Sequence, residues 1–326
     1  MVLTLTITGN NIISQQGNNL LRYNFPTTAQ FDNHEIAMTA CSIYYSWYNV
    51  DQALYGNNLF YYFWLSTVGN PYNLTAADPY ITITDASGNQ ITYYYDAIAN
   101  LTYIRYPVLL PDGIYELQGI VDYMQYVMIQ NNTYAFDTTT NKNCYYINML
   151  VNPTQYCYDV TTYQVDLSGN LPSNITPFYP DPPIAFTPLV QFPKNFCALV
   201  GFTVFTTSPS PSVLDKSFVL YQSNVSPQIQ PNPTLVLNCD KVINPYANPT
   251  STVYSLAATG TIGSQIQIFV PTLIWLPLAK GSYPAISFSW AAANGGQVNI
   301  RDPNMCLVFA IRNCNTDVIQ VGNLGS

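Results

Sequence analysis

Apolar and polar residues alternate one for one in segments spread along the whole chain: Leu3-Thr4-Leu5-Thr6-Ile7, Ile81-Thr82-Ile83-Thr84, Gln265-Ile266-Gln267-Ile268 and Ile286-Ser287-Phe288-Ser289-Trp290. A period of two sends successive side chains to opposite faces, so each segment reads as a half-buried β-strand. Turn clusters lie between them, among them Asp85-Ala86-Ser87-Gly88-Asn89, Gly69-Asn70-Pro71 and Asn294-Gly295-Gly296. One segment follows a different period. Leu117, Ile120, Val121, Met124 and Met128 recur at helical spacing behind Pro111-Asp112-Gly113, which predicts one short helix in an otherwise all-β chain. No fixed-length repeat is evident, so a propeller or solenoid is disfavoured. A β-sandwich or a jelly roll, eight strands in two facing sheets, remains.

The sequence has 326 residues, enough to bury roughly 75% of the surface the unfolded chain exposes. A Pro-rich shift at 171–194, containing Tyr179-Pro180-Asp181-Pro182-Pro183, predicts an extended connector between an amino-terminal half (about 18–170) and a carboxy-terminal half (about 195–314). Only 8% of residues are charged, against about one-quarter in an ordinary soluble domain, so Asn, Gln, Ser, Thr and Tyr must finish the surface. At 48% hydrophobic the chain is not disordered. Nine scattered basic residues and a net charge of -8 lack the footprint that neutralising phosphates requires, so no specific nucleic acid is expected as a partner.

Seven cysteines occur with no C-x-x-C pair, which predicts buried free thiols acting as small hydrophobes. The amino terminus shows no basic region followed by an apolar one, so no secretory signal peptide is expected. No membrane span is expected either. The most apolar stretch, Ile266 to Leu278, is broken by Gln267, Pro271 and Pro277 and is shorter than the ~20 residues a spanning helix requires.

The inventory for catalysis is thin. There is one histidine, His34, and there are two glutamates, Glu35 and Glu116. A nucleophile–His arrangement could use only His34, and no G-x-S-x-G elbow, P-loop or G-x-G-x-x-G fingerprint appears. Zinc needs several His or Cys converging. Fifteen aspartates leave a carboxylate pair for glycoside hydrolysis arithmetically open, but Asp85 and Asp112 sit in turns where Asp bonds its own backbone. The Asp85 loop lacks the alternating ligands of a calcium loop. No catalytic, cofactor-binding or metal-ligating residue is assigned, and no cofactor is expected.

Aromatic runs are the remaining candidates: Tyr44-Tyr45-Ser46-Trp47-Tyr48, Phe60-Tyr61-Tyr62-Phe63-Trp64 and Tyr93-Tyr94-Tyr95. Consecutive aromatics on a strand point both ways. One face can fill the core, and the other must meet the chain itself, a partner subunit or a planar ligand such as a sugar. Interface cores are enriched in Tyr, Trp, Phe and Met and depleted in Lys and Glu, a bias this chain shares.

Specific residues resemble a family. The run Phe31-Asp32-Asn33-His34-Glu35-Ile36-Ala37-Met38, then Ser42-Ile43-Tyr44-Tyr45-Ser46-Trp47-Tyr48-Asn49-Val50 and Asn57-Asn58-Leu59-Phe60-Tyr61-Tyr62-Phe63-Trp64, is similar to the amino-terminal part of vertex (penton, or minor capsid) proteins of virophages and Polinton-type double-stranded DNA viruses. Leu110-Pro111-Asp112-Gly113-Ile114-Tyr115-Glu116-Leu117 resembles the turn that launches their short helix. The carboxy-terminal part adds Ser226-Pro227-Gln228-Ile229, Leu235-Val236-Leu237-Asn238-Cys239, Trp275-Leu276-Pro277-Leu278 and Asp302-Pro303-Asn304-Met305. The spacing between Trp64 and Pro111 exceeds the family's usual connection, so residues 66–108 are expected to form an inserted or elaborated loop.

The resemblance implies a structural, non-enzymatic jelly-roll protein that forms a homopentamer at the vertices of an icosahedral virion. Its neighbours would be double-jelly-roll capsomers of a major capsid protein, and it would be made in the host cytoplasm. Alternatives stay open. A carbohydrate-binding or adhesin-like sandwich would use exposed tyrosines as platforms, an aspartate-dependent glycosidase would turn over substrate, and a major capsid protein would form trimers.

Overall fold

In the computed structural model, which describes residues 2–13, 17–203, 205–206, 218–230 and 232–314, the opening alternation forms β1 (Val2–Thr8), with Leu5 and Ile7 buried and Thr4 and Thr6 exposed. Strands β2 (Leu20–Phe31) and β3 (His34–Tyr44) follow, joined at Asp32-Asn33, where Asn33 takes φ 55°. Asn tolerates this left-handed conformation better than most residues. The chain continues through β4 (Leu59–Val68), β5 (Tyr80–Thr84), β6 (Gln90–Asp96), β7 (Leu101–Leu109), α1 (Leu117–Gln130), β8 (Ala135–Asp137), β9 (Lys142–Cys144), β10 (Ile147–Asn152) and β11 (Cys157–Tyr163). Next come β12 (Ile175–Pro177), β13 (Leu189–Phe192), α2 (Lys194–Val200), β14 (Phe205–Thr206) and β15 (Phe218–Gln222). The last strands are β16 (Thr234–Cys239), β17 (Thr252–Ala257), β18 (Gln265–Phe269), β19 (Leu276–Pro277), β20 (Gly281–Ala292) and β21 (Cys306–Asn313).

These elements divide into two units, Met1–Tyr48 with Asn232–Ser326, and Asn49–Pro231. The first unit is a jelly roll. One sheet has the order β1-β21-β3-β18, with β19 also on β3, and the other has the order β17-β16-β20-β2. All pairs are antiparallel, and the eight principal strands take the two-Greek-key order of a jelly roll. The inward positions of the two sheets meet in one core. Ile7, Ile36, Met38, Leu307 and Phe309 come from the first sheet, and Leu21, Leu235, Leu237, Ile286, Phe288 and Trp290 from the second. Pro26 lies inside β2, where the register on β20 jumps between Asn24 and Ala29. A residue without an N–H is tolerated at such an irregularity.

The second unit is built on a six-stranded antiparallel sheet, β14-β13-β4-β7-β6-β5, with two three-stranded sheets, β10-β11-β15 and β12-β8-β9. Helix α1 packs Leu117, Ile120, Val121, Met124 and Met128 into its core, the five positions read from the helical period. Asn49, fully buried, fastens the unit. Its Nδ2 donates to the carbonyls of Tyr115 (2.7 Å) and Ile229 (2.6 Å), and its Oδ1 accepts the Tyr115 N–H (2.9 Å). One side chain thus joins the segment entering the unit, the approach to α1 and the segment leaving it.

Three sequence expectations need correction. The division falls after Tyr48 and before Asn232, not at 171–194, and that Pro-rich segment lies within the second unit, with Tyr179, Pro182 and Phe186 buried. Proline there shapes packed irregular chain and does not mark a linker. Residues 66–108 are not a loop, because they supply β5, β6 and nearly all of β7, neighbouring strands of the six-stranded sheet. A second helix, α2, accompanies the predicted one. At seven residues it is too short to show periodicity, but Pro193 precedes it and Gly201, at φ 77°, closes it, a recognised start and stop pair.

Candidate functional site

The single histidine and the acids do local structural work. The His34 Nδ1 accepts the Asp32 N–H at 3.0 Å, and Glu35 forms an ion pair with Arg312 at 2.7 Å, the guanidinium lying 4.2 Å from the Trp275 ring centre. Asp112 accepts the Gln52 N–H at 2.8 Å. Asp85 accepts the backbone N–H and side-chain amide of Asn89 and, as a smaller effect, the Ser87 N–H, which hold its carboxyl below the usual carboxylate range. Glu116 precedes α1 without a side-chain capping bond. Among the described residues no three His, Cys, Asp or Glu side chains group as a metal site would require.

All seven cysteines are free. Burial pushes the Cys41 thiol up to about 12, with Cys306 and Asp302 adding to the effect, and burial likewise pushes Cys239 up to about 12. At pH 8 such a thiol is ionised in about one molecule in ten thousand, and the thiolate is the reactive form. Ellman's reagent at that pH should therefore leave Cys41 and Cys239 unmodified in the native protein and reach both after denaturation. Prompt native labelling of either would show that its strand opens.

The run Phe60–Trp64 has both faces occupied within the second unit. Phe60 packs on Phe192 and Phe196, Phe63 on Tyr94, and Trp64 on Tyr146, Tyr179 and Phe186. Trp47, fully buried, donates its indole N–H to the Asn232 carbonyl at 3.0 Å. These aromatics are core, which removes most of the sequence runs as platforms.

Two surfaces among the described residues are candidates. The first is the outer face of sheet β1-β21-β3-β18. Its cross-strand rows read Thr8, Cys306, Ser42, Gln267 and Thr6, Val308, Ala40, Phe269. Thr6, Gln267 and Phe269 are exposed, the last 78% so, and the intervening side chains are small. These two rows carry no charge.

The second is a groove of about 160 Å³ in the Asn49–Pro231 unit. Its base is Trp64 of β4 with Ile104 and Tyr106 of β7, its end is Asn131-Asn132-Thr133, and its wall is Tyr179 to Pro183. The end is built by the termination of α1. The Asn132 N–H reaches the Ile129 carbonyl and the Thr133 N–H reaches the Met128 carbonyl, with Asn132 at φ 52°, the Schellman arrangement. That turn fixes Tyr62, whose hydroxyl lies 2.9 Å from the Thr133 hydroxyl and accepts from Asn131 Nδ2 at 3.2 Å. Tyr106 stacks on Tyr62, ring centres 5.0 Å apart and planes 23° apart. Tyr93 lies across from Ile104 on the same face, with Tyr72 against it at 4.7 Å. Burial, then the Tyr72 hydroxyl, pushes the Tyr93 phenol up to about 12, so the Tyr93 hydroxyl is a neutral hydrogen-bonding group at physiological pH.

The class defined by this architecture is a jelly roll that carries a β-rich unit of about 180 residues between its third and fourth principal strands. No family model and no curated protein matches the chain. Among solved structures it is similar to the crystal structure of SeMet-labelled mavirus penton protein, at 7% identity and a TM-score of 0.40, over 95% of this chain and 98% of that one. The fold assignment here rests on strand order and register.

Proposed function

We propose that this chain is a structural capsid protein, the vertex capsomer of an icosahedral virus or virophage, and that five copies close a ring through the jelly-roll unit. The observation that carries the reading is the strand order β1-β21-β3-β18 facing β17-β16-β20-β2, an architecture that capsid proteins share with lectins and cupins. The small-residue outer face suits coverage by another protein surface, and the sequence resemblance set out above points the same way.

A side-to-side contact closes into a ring when its rotation permits, and each contact needs about 800 Å² per partner to be specific. The partners in this reading are four further copies and the surrounding double-jelly-roll capsomers. Native mass spectrometry at moderate salt should find a species of about 182 kDa, five times 36.4 kDa. A trimer would favour a major capsid protein instead. A monomer at every concentration and salt would favour the carbohydrate-binding module.

A further inference from the structure

We propose that the groove of the Asn49–Pro231 unit binds one ring of a neutral saccharide, stacked on Tyr106 with its hydroxyls bonded to Asn132, Ser66 and Asp181. This goes beyond the capsid reading and does not depend on it. Size sets the first limit: at about 160 Å³ the groove is smaller than the ~300–1,000 Å³ of sites for drug-sized molecules and cofactors, so it suits a single ring.

Chemistry sets the second. The base and one wall are apolar, from Tyr106, Ile104 and the prolines, whereas the rim carries an amide, a hydroxyl and a carboxylate. A pyranose has the matching split, with an apolar C–H face and a perimeter of hydroxyls that donate and accept. Tyr106 is half-buried, is held by its stack on Tyr62 and lines the groove, where its ring is the aromatic surface available to a pyranose C–H face.

Charge sets the third limit. No Lys or Arg lines the groove, so a phosphate, sulfate or sialic acid would find no counter-charge and would meet the Asp181 carboxylate. The Asp181 Oδ1 already accepts the Ser168 N–H at 2.7 Å, which restrains the carboxylate at the rim. The site is also pre-organised. Tyr62 holds Tyr106, Thr133 and Asn131 hold Tyr62, and the helix-ending turn holds Asn132, so little ordering is left for the ligand to impose. Tyr93 and Tyr72 continue the same face and offer a platform for a second ring.

The test is saturation-transfer NMR on the full chain with lactose, cellobiose and mannobiose as neutral probes and sialyllactose as an anionic one, and Trp64 fluorescence as a second readout. Binding of at least one neutral probe is expected with a Kd on the order of 1 mM, as a dozen ligand atoms allow. Asn132→Gly should weaken it at least tenfold while leaving the fold intact, because glycine occupies φ 52° without strain. Tyr106→Phe should retain binding, and Tyr106→Ala should abolish it. The proposal is overturned if no neutral probe binds at 10 mM, roughly ten times that expected Kd, if sialyllactose alone binds, or if binding persists unchanged in both Asn132→Gly and Tyr106→Ala.

Discussion

Replacing Phe288 by alanine should destabilise the jelly-roll unit by about 3–5 kcal/mol, the cost of emptying a fully buried aromatic site. Phe288 of β20 has no solvent exposure and stacks on Phe309 of β21, ring centres 4.5 Å and planes 17° apart. The two strands belong to opposite sheets, so this pair is a bolt through the sandwich. A domain is stable by only about 5–15 kcal/mol, so the loss removes a large share of the total. Phe309→Ala should cost a similar amount, and the double variant less than the sum, because the second truncation enlarges a cavity already open. Phe60→Ala is the counterpart in the other unit, where Phe60 is fully buried against Phe192 and Phe196. Denaturant titration followed by fluorescence separates the two cases. Trp64 is the sole tryptophan of the Asn49–Pro231 unit, and Trp47, Trp275 and Trp290 belong to the jelly roll. Phe288→Ala should shift the jelly-roll transition and leave the Trp64 transition in place. Equal shifts of both would mean that the two units unfold as one.

The strands were legible wherever one face is buried and the other wet. Leu3–Ile7, Ile81–Thr84, Gln265–Ile268 and Ile286–Trp290 all lie in strands, and the Asp85–Asn89 cluster is the hairpin turn between β5 and β6. Helix α1 was legible for the matching reason, a 3.6-residue period of buried positions. The division into units was not. Nothing in the chain marks Tyr48 as a boundary, because the local sequence is continuous β-like aromatic chain. The return at Asn232 is flanked by Pro227, Pro231 and Pro233, a signal overshadowed by the denser prolines of 171–194. The groove was illegible because its parts, a strand, a helix end and a proline-rich wall, are distant in sequence, and no period links Trp64, Asn132 and Asp181. Tyr106 stands alone in sequence, whereas the conspicuous runs around Trp47 and Trp64 turned out to be core.

The division changes how the net charge bears on assembly. The jelly-roll unit has five basic residues (Arg22, Lys241, Lys280, Arg301, Arg312) and five acidic ones (Asp32, Glu35, Asp240, Asp302, Asp317), whereas the Asn49–Pro231 unit has four basic and twelve acidic. All of the net charge of -8 therefore belongs to the second unit. Five copies of the full chain would carry about forty negative charges, and salt screening should promote ring closure, since the screening length falls from ~20 Å near 0.02 M to ~4 Å near 0.5 M. Joining Tyr48 to Asn232 through a short glycine linker would delete the charged unit. The Trp47 Nε1 bond to the Asn232 carbonyl, at 3.0 Å, already holds the two ends together, and the Tyr48 N–H bonds the Asn299 carbonyl at 3.2 Å, so the jelly roll should fold without strain. Its net charge of zero removes the repulsion. Rings closed through the jelly roll should then form in the shortened chain equally well at low and high salt, at the cost of lower solubility. Full-length rings no more stable at ~0.5 M than at ~0.02 M salt would contradict the electrostatic part. A shortened chain that folds but stays monomeric, while the full chain forms rings, would assign closure to the Asn49–Pro231 unit instead.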